Sequence, residues 1–124
     1  MAYVMDDRIL EMPIEERYKG LWLQKYRFHR NHPQETVFIE QFKNSSYYTE
    51  EMARLTTEMM SRLLEMGQED IRQGLVINLP LDVIYMMTFT VAINLAKMHI
   101  ETGVRLSQEM LEAIAGRVCG SVLN

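Results

Sequence analysis

Three histidines, one cysteine and a set of aromatic and methionine side chains are the residues of this sequence from which chemistry could be built. His29 and His32 stand three apart, a spacing at which two imidazoles on one helix can share a metal ion. The pair sits just before Pro33, and the next carboxylate is Glu35, so further ligands would have to come from elsewhere. A polar cap or pocket-edge role suits His29 better than metal ligation. Helical di-metal carboxylate sites need Glu-x-x-His pairs, but the residues three before His29, His32 and His99 are Tyr26, His29 and Ala96. The sequence has no Gly-x-Gly, hence neither a dinucleotide fingerprint nor a phosphate-cradling loop, and no Gly-x-Ser-x-Gly nucleophile elbow. Cys119, on an apolar-faced segment, reads as a buried structural thiol. No catalytic residue, metal or cofactor is expected.

The remaining signal is apolar and aromatic. Trp22, Tyr26, Phe38, Phe42, Tyr47, Tyr48, Tyr85 and Phe89 are interleaved with Met59, Met60, Met86 and Met87. Walls of this kind line small-molecule pockets between the helices of a bundle. They are also how helices bury surface, so pocket wall and plain core packing both stand at this point.

The chain has 124 residues, enough for one domain with a real core, and 48% of them are hydrophobic, far from a disordered composition. Its net charge of −4 argues against gripping a nucleic-acid backbone, which needs clustered positive charge. A single cysteine cannot form an internal disulfide and fits a reducing compartment, so a cytoplasmic place is expected. Asp6 and Asp7 stand where a signal peptide wants basic residues. The most apolar window, Val83 to Ala96, is too short for a bilayer, which takes ~20 apolar residues, and no membrane association is expected.

The elements that must position these side chains are all helical; no run alternates apolar and polar residues as a strand would. Pro13, with Glu15 and Glu16 in the first turn, starts a helix to about Asn31. Tyr18, Trp22, Tyr26 and His29 share one side of it, Leu21 and Phe28 a second, and Leu23 joins Lys19, Arg27 and Arg30 on a solvated edge. Apolar contacts on more than one face make this helix central. Pro33 restarts a short helix bearing Phe38 and Phe42. Thr49 caps a long one with Met52, Leu55, Met59, Leu63 and Met66 as its buried stripe, ending at Gly74 and interrupted by Gly67, which marks a kink or a close neighbour or is simply tolerated. Pro80 begins an apolar helix to about Thr102, closed by Gly103, and Ser107 caps the last.

The segment order Pro13-Ile14-Glu15-Glu16-Arg17 to Leu21-Trp22, then His32-Pro33, Phe38-Ile39-Glu40-Gln41-Phe42 and Ser45-Ser46-Tyr47, then the Gly67 to Gly74 helix end and the Pro80 helix, resembles the C-terminal effector-binding and dimerisation half of TetR-type bacterial transcriptional regulators. The resemblance covers essentially the whole chain. It implies an all-α helical bundle that dimerises through its last two helices as a four-helix bundle. Residues 1–12 would end a linking helix, and 13–124 would form the effector-binding and dimerisation domain. DNA would be reached only through an N-terminal helix-turn-helix part that this chain does not include. A small, largely apolar or aromatic effector would lie against Trp22, Tyr26, His29, Phe42, Met59, Tyr85 and Phe89, named as inward positions on their helices.

The residues themselves support a homodimer. Ile84, Met87, Val91, Leu95 and Met98 form one apolar stripe, Ile114, Val118 and Val122 another, and Gly116-x-x-x-Gly120 would let a neighbouring helix come close. Met59, Met60 and Met86 go with the pocket, and Met87, Met98 and Met110 with the dimer face. The competing expectation is a stand-alone helical protein-interaction domain with no small-molecule site.

Overall fold

The computed structural model describes residues 11–32, 61 and 63–124 of the chain, and its regular elements there are all helices. They are α1 (Ile14–Asn31), a helix described over 63–72 (α2), α3 (Leu81–Met87), α4 (Phe89–Thr102) and α5 (Gln108–Gly120). The short helix expected after Pro33 and the Thr49 cap lie outside the described residues. So do residues 1–10 of the expected linking helix.

Local chemistry fixes the ends. Pro13 has an extended backbone and its carbonyl accepts the Arg17 N–H at 2.9 Å, while Glu15 and Glu16 at the start and His29 and Arg30 at the end of α1 complement the helix dipole. α1 stops at His32, since the residue before a proline is disfavoured in helical conformation. α2 ends on an exposed cluster in which Arg72 and Gln73 donate to Glu69, and these bonds hold the Glu69 carboxyl down to about 2. Gly103 closes α4 with φ 72°, in the left-handed region that glycine occupies without strain. The Ser107 hydroxyl accepts the Met110 N–H at 3.1 Å and caps α5.

The apolar helix expected to run unbroken from Pro80 is divided at Thr88. Thr88 leaves helical geometry (φ −116°, ψ −80°) and its hydroxyl donates to the Ile84 carbonyl at 2.8 Å. The Thr88 carbonyl accepts the indole N–H of Trp22 at 3.0 Å and the Val91 N–H at 3.2 Å. A tertiary donor has entered the ladder, and hydroxyl back-bonding bends the chain further, two recognised causes of a helix break. The 22 residues from Leu81 to Thr102 are long and apolar enough to cross a membrane. The run is broken at Thr88, and α4 packs on α1 through buried Phe89, Ala92 and Ala96, while 28% of the apolar window is buried.

α1 is the central element, packed against both α4 and α5. Leu21, Trp22 and Tyr26 of α1 meet a core that includes Ala92 and Ala96 of α4 and Leu111, Ala115 and Cys119 of α5. The alanines allow close approach, and the Trp22 and Tyr26 rings stack with centroids 6.2 Å apart. Leu23, expected on the solvated edge, is buried, because with two helices on α1 the covered arc is wider than one stripe. Leu63 and Met66, from the stripe expected after Thr49, are buried as well.

The chain end folds back on the turn after α2. Val76 and Leu123 form an isolated antiparallel bridge, Ile77 N–H donates to the Val122 carbonyl at 2.8 Å, and Asn124 N–H donates to the Leu75 carbonyl at 3.0 Å. The Asn124 side chain adds a bond to the Gly74 carbonyl at 2.9 Å. This clasp buries Val122 completely within its own chain, and Ile84 is buried too. Both had been expected on the dimer stripes. Of the other stripe positions, Met87 is exposed, Met98 is half-buried, and Val91, Leu95, Ile114 and Val118 are half-buried against the core.

Candidate functional site

A cavity of about 290 Å³ opens between α2 and α3 and reaches α1. Leu63, Leu64, Met66 and Gly67 line it from α2, and Leu81, Asp82, Ile84, Tyr85 and Met86 from α3. Phe89, the first residue of α4, and Tyr18 of α1 complete the described lining. Tyr18, Ile84 and Phe89 are buried and form its inner surface, whereas Asp82 and Met86 are exposed at its mouth. Three rings follow one another along it: Tyr85 and Phe89 have centroids 5.5 Å apart and Phe89 and Tyr18 6.5 Å, both pairs tilted by about 40°. Both separations lie within the roughly 4.5–7 Å range of interacting aromatic pairs.

Gly67 leaves room beside the cavity for the Leu81 side chain of α3. A Cβ at that position would sit 2.8 Å from Cδ2 of Leu81, inside contact distance. Of the roles the sequence left open for this glycine, the side chain it makes room for is that of Leu81.

Behind the inner surface lies a polar cluster that the sequence did not announce. Arg17 Nη1 donates to both carboxylate oxygens of Asp70 at 3.0 Å, and the Tyr18 hydroxyl donates to Asp70 Oδ2 at 2.9 Å. Arg17 and Asp70 are 8% and 3% exposed, so this is an ion pair inside the protein, joining α1 to the end of α2. Burial, with the neighbouring Asp70 carboxylate, pushes the Tyr18 hydroxyl well above its ordinary pKa and keeps it a neutral donor. Its proton is committed to Asp70, so Tyr18 presents the cavity chiefly with its ring. Burial also raises Tyr85. The only signal for Arg17 and Asp70 was that each is a charge in a helix rich in apolar residues, which does not identify a partner 53 positions away.

The expected ligand-contacting residues are distributed unevenly. Tyr85 and Phe89 line the cavity, as does Met86. Trp22 and Tyr26 are fully buried in the core, Trp22 acting on the site at one remove through the Thr88 carbonyl. The Tyr26 ring lies under the Arg30 guanidinium at 5.6 Å. His29 is half-buried near the end of α1 with the Phe28 ring edge-on at 5.3 Å, and the described cavity lining does not include it. Phe42, Met59 and Met60 lie outside the described residues. Among the described residues no cluster of histidine, cysteine or carboxylate side chains could hold a metal ion. Burial raises the Cys119 thiol to about 12, leaving it protonated and unreactive at neutral pH.

Residues 13–121 match the family described as tetracyclin repressor-like, C-terminal domain. The fold is similar to that of a TetR family transcription regulator from Marinobacter aquaeolei VT8, with a TM-score of 0.79 and 17% identity over 95% of this chain and 62% of that one. It is also similar to a transcriptional regulator TetR family protein from Vibrio parahaemolyticus, with a TM-score of 0.66 and 18% identity over 92% of this chain and 60% of that one. At such identities the likeness is one of fold, and the chain spans about three-fifths of the length of either structure. No curated protein matches the sequence.

Proposed function

Since the chain belongs to the tetracyclin repressor-like C-terminal domain family, we propose that it is the ligand-sensing and dimerisation part of a transcriptional regulator, with the cavity between α2 and α3 as its effector site. The observation that carries this reading is the cavity itself: apolar, lined by three aromatic rings, and backed on α1 by a residue hydrogen-bonded into a buried ion pair. Tyr85 and Phe89 are the proposed contacts. A ligand that moves the Tyr18 ring disturbs its bond to Asp70, and with it the hold of Asp70 on Arg17 in the first turn of α1. Occupancy of the cavity then favours one placement of that end of α1 over another, which requires unequal ligand affinity for the two states.

The similar regulators are longer than this chain, and the reading assigns DNA contact to a part of the regulator beyond it, consistent with the net charge of −4. Its role is sensing, not catalysis, in the cytoplasm. The proposed dimer face comprises Met87, Val91, Leu95 and Met98 with Ile114 and Val118, around Gly116 and Gly120. A Cβ at either glycine meets nothing within 4 Å in the chain, which leaves that side of α5 open to a neighbouring helix.

The experiment pairs thermal unfolding in a panel of small apolar and aromatic compounds with light scattering at micromolar concentration. A dimer is expected, at least one compound should raise its melting temperature, and Phe89→Ala should weaken that rise. Gly116→Glu should give a monomer. A monomeric parent chain that no compound stabilises would sink the reading.

A further inference from the structure

The cavity has a polarity axis, and the axis specifies a ligand. Asp82, Tyr85 and Met86 lie at positions i, i+3 and i+4 of α3 and line the cavity on one helical face, and Phe89, the first residue of α4 beyond the break, lines it as well. Along this row exposure falls from Asp82 at the mouth and Met86, 66% exposed, to Phe89, 6% exposed against the inner surface. Beyond the break at Thr88 the ring row carries the axis on, with Tyr85 and Phe89 centroids 5.5 Å apart and Phe89 and Tyr18 6.5 Å apart.

Asp82 carries the sole formal charge among the described lining residues. Arg17 is paired with Asp70 and Arg72 with Glu69, so neither of these guanidinium groups neutralises the Asp82 carboxylate. The next polar group along the wall is the Tyr85 hydroxyl, and that of Tyr18 is already bonded to Asp70. The other surfaces offered are aromatic faces and the Met86 thioether, which attract positive charge and polarizable groups. An anion would meet a carboxylate at the entrance with no described cation on the wall to offset it.

We infer that the cavity selects an elongated apolar cation, its ammonium group held at the mouth by Asp82 and its hydrocarbon or aromatic body laid along Tyr85 and Met86 toward Phe89. The inference rests on the cavity being the effector site and adds the chemical class of the effector. Asp82 sets the preference for charge, and the ring row sets the preference for length and shape.

Three probes of one length separate these contributions: 4-phenylbutylamine, 4-phenylbutan-1-ol and 4-phenylbutyrate, titrated calorimetrically into the chain at pH 7.5, where the amine is protonated. The amine should bind about 3- to 10-fold more tightly than the alcohol, and the acid weakest. Asp82→Asn should weaken the amine about 2- to 5-fold and leave the alcohol unchanged. The melting temperature of that variant without ligand should fall only slightly, by the loss of one first-turn carboxylate that complements the helix dipole. Added salt should shrink the preference for the amine in the parent more than in the variant. Equal affinities, tightest binding of the acid, or a preference for the amine that survives intact in Asp82→Asn would overturn the charge assignment while leaving a ligand site standing. Binding of none of the three would overturn the site and the assignment together.

Discussion

Arg17 and Asp70 show how much of this fold depends on a pair of side chains that are individually expensive. Each brings a charge out of water, and the pair is tolerable because the guanidinium meets both carboxylate oxygens and Tyr18 donates to one of them. Removing one partner strands the other, at a cost of roughly 3–5 kcal/mol. Arg17→Met should therefore lower unfolding stability by about that amount in urea melts. Arg17→Met combined with Asp70→Asn should lose less than the sum of the single losses, because Asn keeps an acceptor for Tyr18 and no charge is left unpaired. Additive losses would mean the two residues act independently. Helix ends such as Pro13, Gly103 and Ser107 were legible in the sequence because their chemistry is satisfied within a turn. Arg17 was not, because its partner belongs to another helix.

Among the elements, α1 is the one whose sequence most nearly declares its role, since apolar side chains on more than one face require more than one neighbour. Gly20 sits in its middle, and a Cβ there meets nothing within 4 Å. Gly20→Ala should thus stabilise the protein by about 0.5–1 kcal/mol through helix propensity and a less free unfolded chain. Gly103→Ala should do the reverse, costing about 1–2 kcal/mol, since its φ of 72° is left-handed. Thermal or urea unfolding of both variants checks the opposite signs. The division between α3 and α4 could not be foreseen from periodicity, which runs smoothly from Ile84 to Val91. It depends on the Trp22 indole reaching the Thr88 carbonyl, a contact between helices. The same break turns α3 on α4 and so shapes the cavity wall that Tyr85 and Phe89 share.

For the molecule as a whole, the helical class and the central place of α1 were legible, because both follow from hydrophobic spacing. The cavity was legible only in part. Tyr85 and Phe89 have the spacing of one helical face, and they do face the cavity. Trp22 and Tyr26 have equally suitable spacing on α1, but two helices cover that face and bury both. Spacing gives the side of a helix and not what lies opposite it. Val122 illustrates the same limit, since its stripe continues α5 on paper while the chain turns back after Gly120. That return closes the clasp of residues 74–77 with 122–124, whose partners stand up to 50 positions apart along the chain. Closing so long a loop costs entropy before any bond compensates, which favours forming the local helical contacts first. The clasp is then a latch set after the folding barrier, and its strength governs how long a folded molecule lasts more than how quickly one forms. In stopped-flow kinetics Val76→Ala should raise the unfolding rate with little change in the folding rate. A slowed folding arm would instead make these few backbone bonds part of the folding nucleus.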